Sequence, residues 1–263
     1  RLRVTSGGQV RIGSSGDPSN KNTVTPLAHV DGSGVNGALQ VNRHTSVGGG
    51  GSQLILSATR GSSITGHTIL QDDDGMGTIE FAGSDGGEFV TGARIQAAVD
   101  GTPGDDDLPT RLIFSTTTDG GNSPTERLRI TSGGGFHFSN AELIERVSIV
   151  ANKLSAVPNV SLDNGMVHYY TTNETTTATP NIISTAGINT SMATGDTMSV
   201  TIMSKPNNAG YFPKVSIDGV ATGITTYWSG GSAPSSAESS GVDVNVYQII
   251  KTADATYDVL ANT

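Results

Sequence analysis

The sequence predicts an all-β protein: a Gly-rich β shaft or collar over residues 1–138, then a C-terminal β-sandwich or jelly-roll-like domain over 139–263, assembled as an intertwined homotrimer. Three observations lead there. The first is a repeat. Arg1 to Gly8 (RLRVTSGG) returns as Arg127 to Gly134 (RLRITSGG) with one conservative change in eight positions. Each copy alternates apolar and basic residues, reaches Gly-Gly, and is followed by a second alternating pair, Val10 and Ile12 or Phe136 and Phe138. That is a strand, a glycine-permitted turn and a strand. The second is the glycine distribution, with 26 of 35 glycines before Ser139 and 9 after it. The third is the near absence of helical periodicity in the first 138 residues, where short strand-like runs alternate with turn residues.

In chain order, the shaft strands are expected at Gly37 to Val41, Gln53 to Ser57, Thr78 to Phe81, Gly92 to Val99 and Thr110 to Ser115. Gly48 to Gly51, Asp72 to Gly77, Ser84 to Gly87 and Asp100 to Asp107 separate them. Many of these strands carry one or two apolar side chains on a face, so one copy would bury little area per residue. Three chains packed together would remedy that and would pair edges otherwise left open. Glu142 to Leu154 reads equally as a helix, with Ser139 and Glu142 at capping-box spacing, or as a strand through Val147, Ile149 and Ala151. Beyond it, strands are expected at Val160 to Leu162, Met166 to Tyr170, Thr197 to Met203, Lys214 to Ile217, Val242 to Ile250 and Tyr257 to Leu260. Turns fall at Asn164-Gly165, Pro206-Asn207-Asn208 and Asp218-Gly219. About one hundred residues of this kind fit a sandwich or jelly roll.

Composition excludes several classes. The chain has 263 residues, a net charge of −9 and no cysteine, so disulfides and Cys-ligated zinc are ruled out. An acidic chain without a Lys/Arg run is a poor match for nucleic acid, whose binding depends on basic side chains displacing counterions. There is no apolar stretch long enough to span a bilayer and no signal-peptide pattern, so a soluble protein is expected. The opening at Arg1, inside a repeat unit, leads to the expectation of further residues upstream.

The phrases GALQVNRHTS, GGGGSQLILSATRGSS, DDDGMGTIEFAGSDGGEFVTGARIQAAVDGTPG and LPTRLIFSTTTDGG, followed by SPTERLRITSGG, resemble the shaft and collar regions of tail fibres and related appendages of tailed bacteriophages, especially marine ones. In such proteins TERLRITSGG often precedes a self-cleaving intramolecular chaperone, which is not evident here. VHYYTTNETTTATPNI, YWSGGSAPSS and VDVNVYQIIKTADATYDVLAN resemble a terminal β domain of marine phage fibres. The resemblance favours the strand over Glu145 to Ala151. It implies a virion structural protein, made in the host cytoplasm and joined to other virion proteins through an upstream region. It would present its distal domain to a host surface glycan or outer-membrane receptor. A capsid- or tail-mounted decoration or assembly protein without a receptor is the second reading, and a tailspike glycan hydrolase the third.

Candidate sites follow. Tyr227 and Trp228 could stack on a sugar ring, and Ser229, Ser232 and Ser235 in the pliable stretch to Ser240 could supply polar contacts. A core position is the competing reading for Trp228. Alternation sends one of Tyr169 and Tyr170 inward and the other outward. Asp72, Asp73 and Asp74 form a dense carboxylate cluster that reads as a solvated turn, with a cation site shared across subunits as the alternative. They do not follow a calcium-loop spacing. A hydrolase would need two acids about 5 to 10 Å apart beside an aromatic-lined cleft; Asp72, Glu80, Asp85 and Glu88 are available, but Trp228 is the sole tryptophan. His29, His44, His67, His137 and His168 are scattered. There is no G-x-S-x-G for a serine nucleophile. No cofactor is implied and no enzymatic activity is expected. Arg1, Arg3, Arg127 and Arg129, on the polar sides of their strands, could pair with acids of neighbouring chains.

Overall fold

The computed structural model describes residues 2–4, 10–12, 28–30, 41–42, 44, 51–62 and 66–262. The fold is all-β, with one α-helix of a single turn, Ile188–Ser191, among the described residues. It divides into two compact units, residues 1–142 and 143–263. No helix among the described residues is long and apolar enough to cross a membrane.

Unit 1 contains two sheets. The first joins β1 (Leu2–Val4), β2 (Val10–Ile12) and β3 (Ala28–Val30). The second is a five-stranded antiparallel meander of β4 (Gly75–Ser84), β5 (Phe89–Val99), β6 (Thr110–Thr116), β7 (Thr125–Ile130) and β8 (Phe136–Phe138), paired in chain order. The sequence repeat is a structural repeat. Leu2 pairs with Ile12 and Val4 with Val10 in the first hairpin, and Leu128 pairs with Phe138 and Ile130 with Phe136 in the second. Turn chemistry explains the second copy: Gly134 has a φ of 80°, and the Gly134 amide donates to the Thr131 carbonyl at 2.9 Å.

The runs Thr78 to Phe81, Gly92 to Val99 and Thr110 to Ser115 lie inside β4, β5 and β6. Gln53 to Ser57 is irregular instead. Its Leu54, Ile55 and Leu56 are consecutive, so no single pleated face could bury all three, and all are exposed. Most of the run Gly37 to Val41 lies outside the described residues; Val41 itself is not in a strand.

Unit 2 has two layers. A six-stranded sheet runs in the order β15-β17-β16-β13-β11-β9 and a three-stranded sheet in the order β10-β12-β14. The strands are β9 (Val147–Val150), β10 (Asn159–Ser161), β11 (Val167–Asn173), β12 (Asn181–Ile183), β13 (Thr197–Lys205), β14 (Ser216–Ile217), β15 (Ile224–Trp228), β16 (Asp243–Ala253) and β17 (Thr256–Asn262). The chain from β9 to β14 steps back and forth between the layers. Within each layer these strands are parallel neighbours, β9-β11-β13 and β10-β12-β14. The two layers share a core as a sandwich does, but the connectivity is a winding one, distinct from the antiparallel order of a jelly roll. The antiparallel part is β13-β16-β17, with β15 added in parallel at the edge. Val147–Val150 is extended, as the strand reading of that segment required.

Alternation builds the core. Val200 and Ile202 of β13, Tyr247 and Ile249 of β16, and Val259 and Ala261 of β17 point inward against Val160, Ile182 and Ile217 of the small sheet. Two charged residues are buried with their hydrogen bonds made. The Glu174 carboxylate accepts the Leu154 amide at 2.6 Å and the Ser155 amide at 3.1 Å. Gly210, at a φ of 89°, lies where a Cβ would fall 2.1 Å from the Glu174 Cβ, so only glycine fits beside it. Lys251 Nζ donates to the carbonyls of Asn189 at 2.6 Å and Met192 at 2.9 Å, closing the end of the helical turn.

Candidate functional site

The outward residues of the six-stranded sheet are set by the same alternation. Where Tyr257, Val259 and Ala261 face the core, Asp258, Leu260 and Asn262 face outward. On β15, Trp228 turns inward and Tyr227 outward. The Trp228 ring packs edge-on to Tyr247 with centroids 6.3 Å apart and planes at 80°, so Trp228 is a partly buried support. Tyr227 is 53% exposed. Next to it, the Ser229 amide donates to the Ala261 carbonyl at 2.8 Å and the Gly231 amide to the Trp228 carbonyl at 2.9 Å, ending the strand in a turn. Together Tyr227, Trp228, Ser229, Val246, Leu260, Ala261 and Asn262 line a shallow hollow of ≈ 400 Å³.

Chemically the hollow is an apolar floor with an aromatic wall and an amide. Asn262 Oδ1 accepts the Val246 amide at 3.3 Å. Among the described residues the lining contains no Asp, Glu, His or Lys. A flat ligand face could stack on Tyr227 there.

The structure brings Tyr227, Trp228 and Ser229 together and leaves the other predicted contacts apart. Ser232 and Ser235 are exposed in the following loop but do not line the hollow. Tyr169 faces outward on β11, between Ile149 and Met203. Four strand spacings separate β11 from β15, roughly 19 Å. Tyr170 is a correction: at 1% exposure it is a core residue, its phenol pushed up to about 12 by burial and then by Glu174. Leu260, Asn262 and Val246 were missed, although the alternation of β17 around Val259 marks Leu260 as outward.

The carboxylate cluster is divided among separate partners. Asp72 Oδ1 accepts the Gly101 amide at 2.8 Å, Asp73 accepts from Arg111 at 2.5 Å, and Asp74 accepts from Arg60 at 2.6 Å and the Gln71 amide at 2.7 Å. The Arg60 hydrogen bond, with the Gln71 amide second, holds the Asp74 carboxyl below its ordinary value. Asp73 takes a left-handed φ of 69°, which fits a turn. Among the described residues no three His, Asp or Glu side chains converge as a metal would require. The acids considered for hydrolysis are engaged in the sheet and its turns. Glu80 pairs with Arg94 at 2.8 Å, and Asp85 Oδ1 accepts the amides of Gly87 and Glu88, both at 2.9 Å. Arg129 bonds Glu126 of its own strand at 2.7 Å, and Arg127 donates to Thr116 and to the Asn140 carbonyl. Intrachain bonds thus take up two arginines expected to reach neighbouring chains. His137 meets Ser139 Oγ at 3.2 Å. His168 is buried against the Gly165 carbonyl at 2.9 Å, and desolvation lowers its pKa.

No family model matches the chain, and no curated protein does. Solved structures similar to it include two of one fibre domain. The carboxy-terminal domain of the bacteriophage T5 L-shaped tail fibre aligns with a TM-score of 0.40 and 13% identity, covering 55% of this chain and 62% of that one. The same domain with its intra-molecular chaperone aligns with a TM-score of 0.43 and 13% identity, covering 55% of this chain and 42% of that one.

Proposed function

We propose that this chain is a structural protein of a phage virion, a homotrimeric tail fibre whose second unit meets the host surface and performs no chemistry. The observation that carries the reading is the hollow at Tyr227: an exposed aromatic ring, an apolar floor and an amide, held on a six-stranded sheet. It sits beside the exposed loop after Trp228, an arrangement of rigid scaffold and adaptable rim suited to recognition. The resemblance of the sequence phrases to phage fibres agrees with it. The partners are further copies of the chain, virion proteins joined through an upstream region, and a host surface glycan or outer-membrane receptor. Shallow sites of this kind bind weakly one at a time, and three on one fibre gain by avidity.

The test is binding of the labelled full chain to an array of bacterial surface glycans and to candidate host cells. Tyr227→Ala is expected to lower retention at least tenfold with thermal unfolding unchanged, because the ring projects outward. Retention equal to wild type would remove the hollow from the reading. An unmodified chain that bound neither cells nor glycans would favour a decoration or assembly role.

A further inference from the structure

The five-stranded sheet of unit 1 gathers its charged side chains on one face and most of its large apolar ones on the other. Opposed residues of an antiparallel pair share a face, so the register defines whole rows. Ile79, Ile95, Phe114, Leu128 and Phe138 form one row across all five strands, and Ala97, Leu112, Ile130 and Phe136 form the next. Phe81 and Ala93 extend the same face. No Asp, Glu, Lys or Arg occupies a register position on it. The opposite face carries the pairs Arg94–Glu80 and Arg129–Glu126.

An antiparallel sheet with one wet face ordinarily gives water the charged side and buries the apolar one. Here the apolar side is open. Ile79 is 43% exposed, Phe81 55%, Phe136 68% and Phe138 48%. With the half-buried members of the rows they form one contiguous open apolar face, the kind of patch that marks an interaction surface.

Charge identifies the occupant. The chain has a net charge of −9, and around a symmetry axis each side chain lies near its own counterpart, so any charge there would meet its like. A face kept free of charge in an acidic chain has the composition a self-contact needs, whereas an unlike partner matched by charge would have left ionic residues on it. The pattern also accompanies the repeat. In the first sheet, Leu2, Ile12 and Val30 occupy one register row and Val4, Val10 and Ala28 another, with Arg3, Arg11 and His29 in the row between. We propose that the Ile79–Phe138 face is the surface through which copies of this chain pack sheet against sheet. This rests on the homo-oligomer part of the function above and names the surface that makes it.

The experiment is native mass by light scattering on the full chain, wild type against Phe81→Glu/Phe136→Glu, with Ile149→Glu on the equally exposed outer face of unit 2 as control. Wild type should be a multiple of 26.9 kDa. The double variant should raise the concentration for half-assembly at least a hundredfold, and the control should leave it unchanged. Because the sheet could misfold in the double variant, a second measurement uses the absence of cysteine. Phe138→Cys, treated with a short bis-maleimide, should give linked chains on a denaturing gel, and Ser235→Cys should give none. A wild-type monomer would overturn both this proposal and the homo-oligomer. A wild-type oligomer that survives the double variant, or that links through Ser235→Cys alone, would overturn the surface and leave the oligomer standing.

Discussion

In unit 2 the inward rows of the six-stranded sheet meet the inward residues of the three-stranded sheet, and Val160, Ile182, Val200, Ile249 and Val259 lose all contact with water. In unit 1 the matching apolar rows of the five-stranded sheet remain open, and its fully buried hydrophobic residues are few, chiefly Ala98 and Val99. Both units use the same period-2 alternation, so the difference does not lie in strand chemistry. It lies in where the second layer comes from. Unit 2 supplies its own, and unit 1 carries half of a sandwich. Burial of apolar area drives folding in both cases, and under the self-contact proposed above that burial is, for unit 1, an association step.

The comparison is broken most readily by melting the two units at different protein concentrations. Ile202→Ala empties a fully buried site and should cost unit 2 about 2–5 kcal/mol, read as a large drop in its transition at any concentration. The unit 1 transition should leave that change unfelt and, under the proposed self-contact, should rise with protein concentration. A unit 1 transition independent of concentration would end the distinction drawn here.

Acid should separate the units next. His168 is held neutral by burial, with its folded pKa below the ordinary value of about 6.5. The unfolded chain therefore binds the extra proton first. Its contribution to unit 2 is complete above pH 6.5 and is lost as the pH falls through the folded pKa. In unit 1 the depressed groups are carboxylates: Asp100, held down first by the Ser132 amide, Asp74 by Arg60, and Glu126 by Arg129. Their contribution is complete above the ordinary carboxylate range and fades only below about pH 4. Unit 2 should thus weaken as the pH falls below about 6.5 while unit 1 holds, and His168→Gln should flatten that slope. A slope unchanged in the variant would assign it to another group.

The smallest effect sharpens the picture of the closed core. The Tyr247 hydroxyl is buried with no hydrogen-bond partner among the described residues, and burial drives its pKa upward. Tyr247→Phe removes that unsatisfied group and keeps the ring against Trp228, so unit 2 should stay as stable or gain up to about 1 kcal/mol. A loss of more than that in denaturant titration would reveal a bound water at the hydroxyl.

Strands were legible where alternation and turn residues agreed. The RLR-V/I-TSGG repeat, Gly92 to Val99, and the turns at Asn164-Gly165 and Asp218-Gly219 all belong to this group; Gly165, Asp218 and Gly219 all take positive φ. Partners were not legible. Periodicity states that Val167 and Thr201 lie on strands but not that those strands run side by side in parallel, so the winding of β9 to β14 stayed hidden. The short β15 that carries Tyr227 and Trp228 was not among the expected strands, because the Gly- and Ser-rich stretch after it masks so brief a run. The hollow needed strand order as well, since β17 supplies three of its residues from a segment more than thirty positions away in the chain. Glu174 and Lys251 gave no warning of burial, for a charged residue is mostly found at the surface. The nearest signal for Glu174 is Gly210, whose role appears only once the two are in contact.

The position of β16 has a consequence for how the protein is made. β16 lies between β13 and β17 in the middle of the large sheet, yet it follows all of β9 to β15 in the chain. During synthesis the strands β9, β11 and β13 emerge first and can wind together, but β13 is left with an unpaired edge. That edge waits until the β16–β17 hairpin has left the ribosome. A nascent chain therefore carries an adhesive strand through the last part of its production, on polysomes where identical chains stand close together. Until the hairpin arrives, that edge is a place where nascent copies can pair at the wrong sheet.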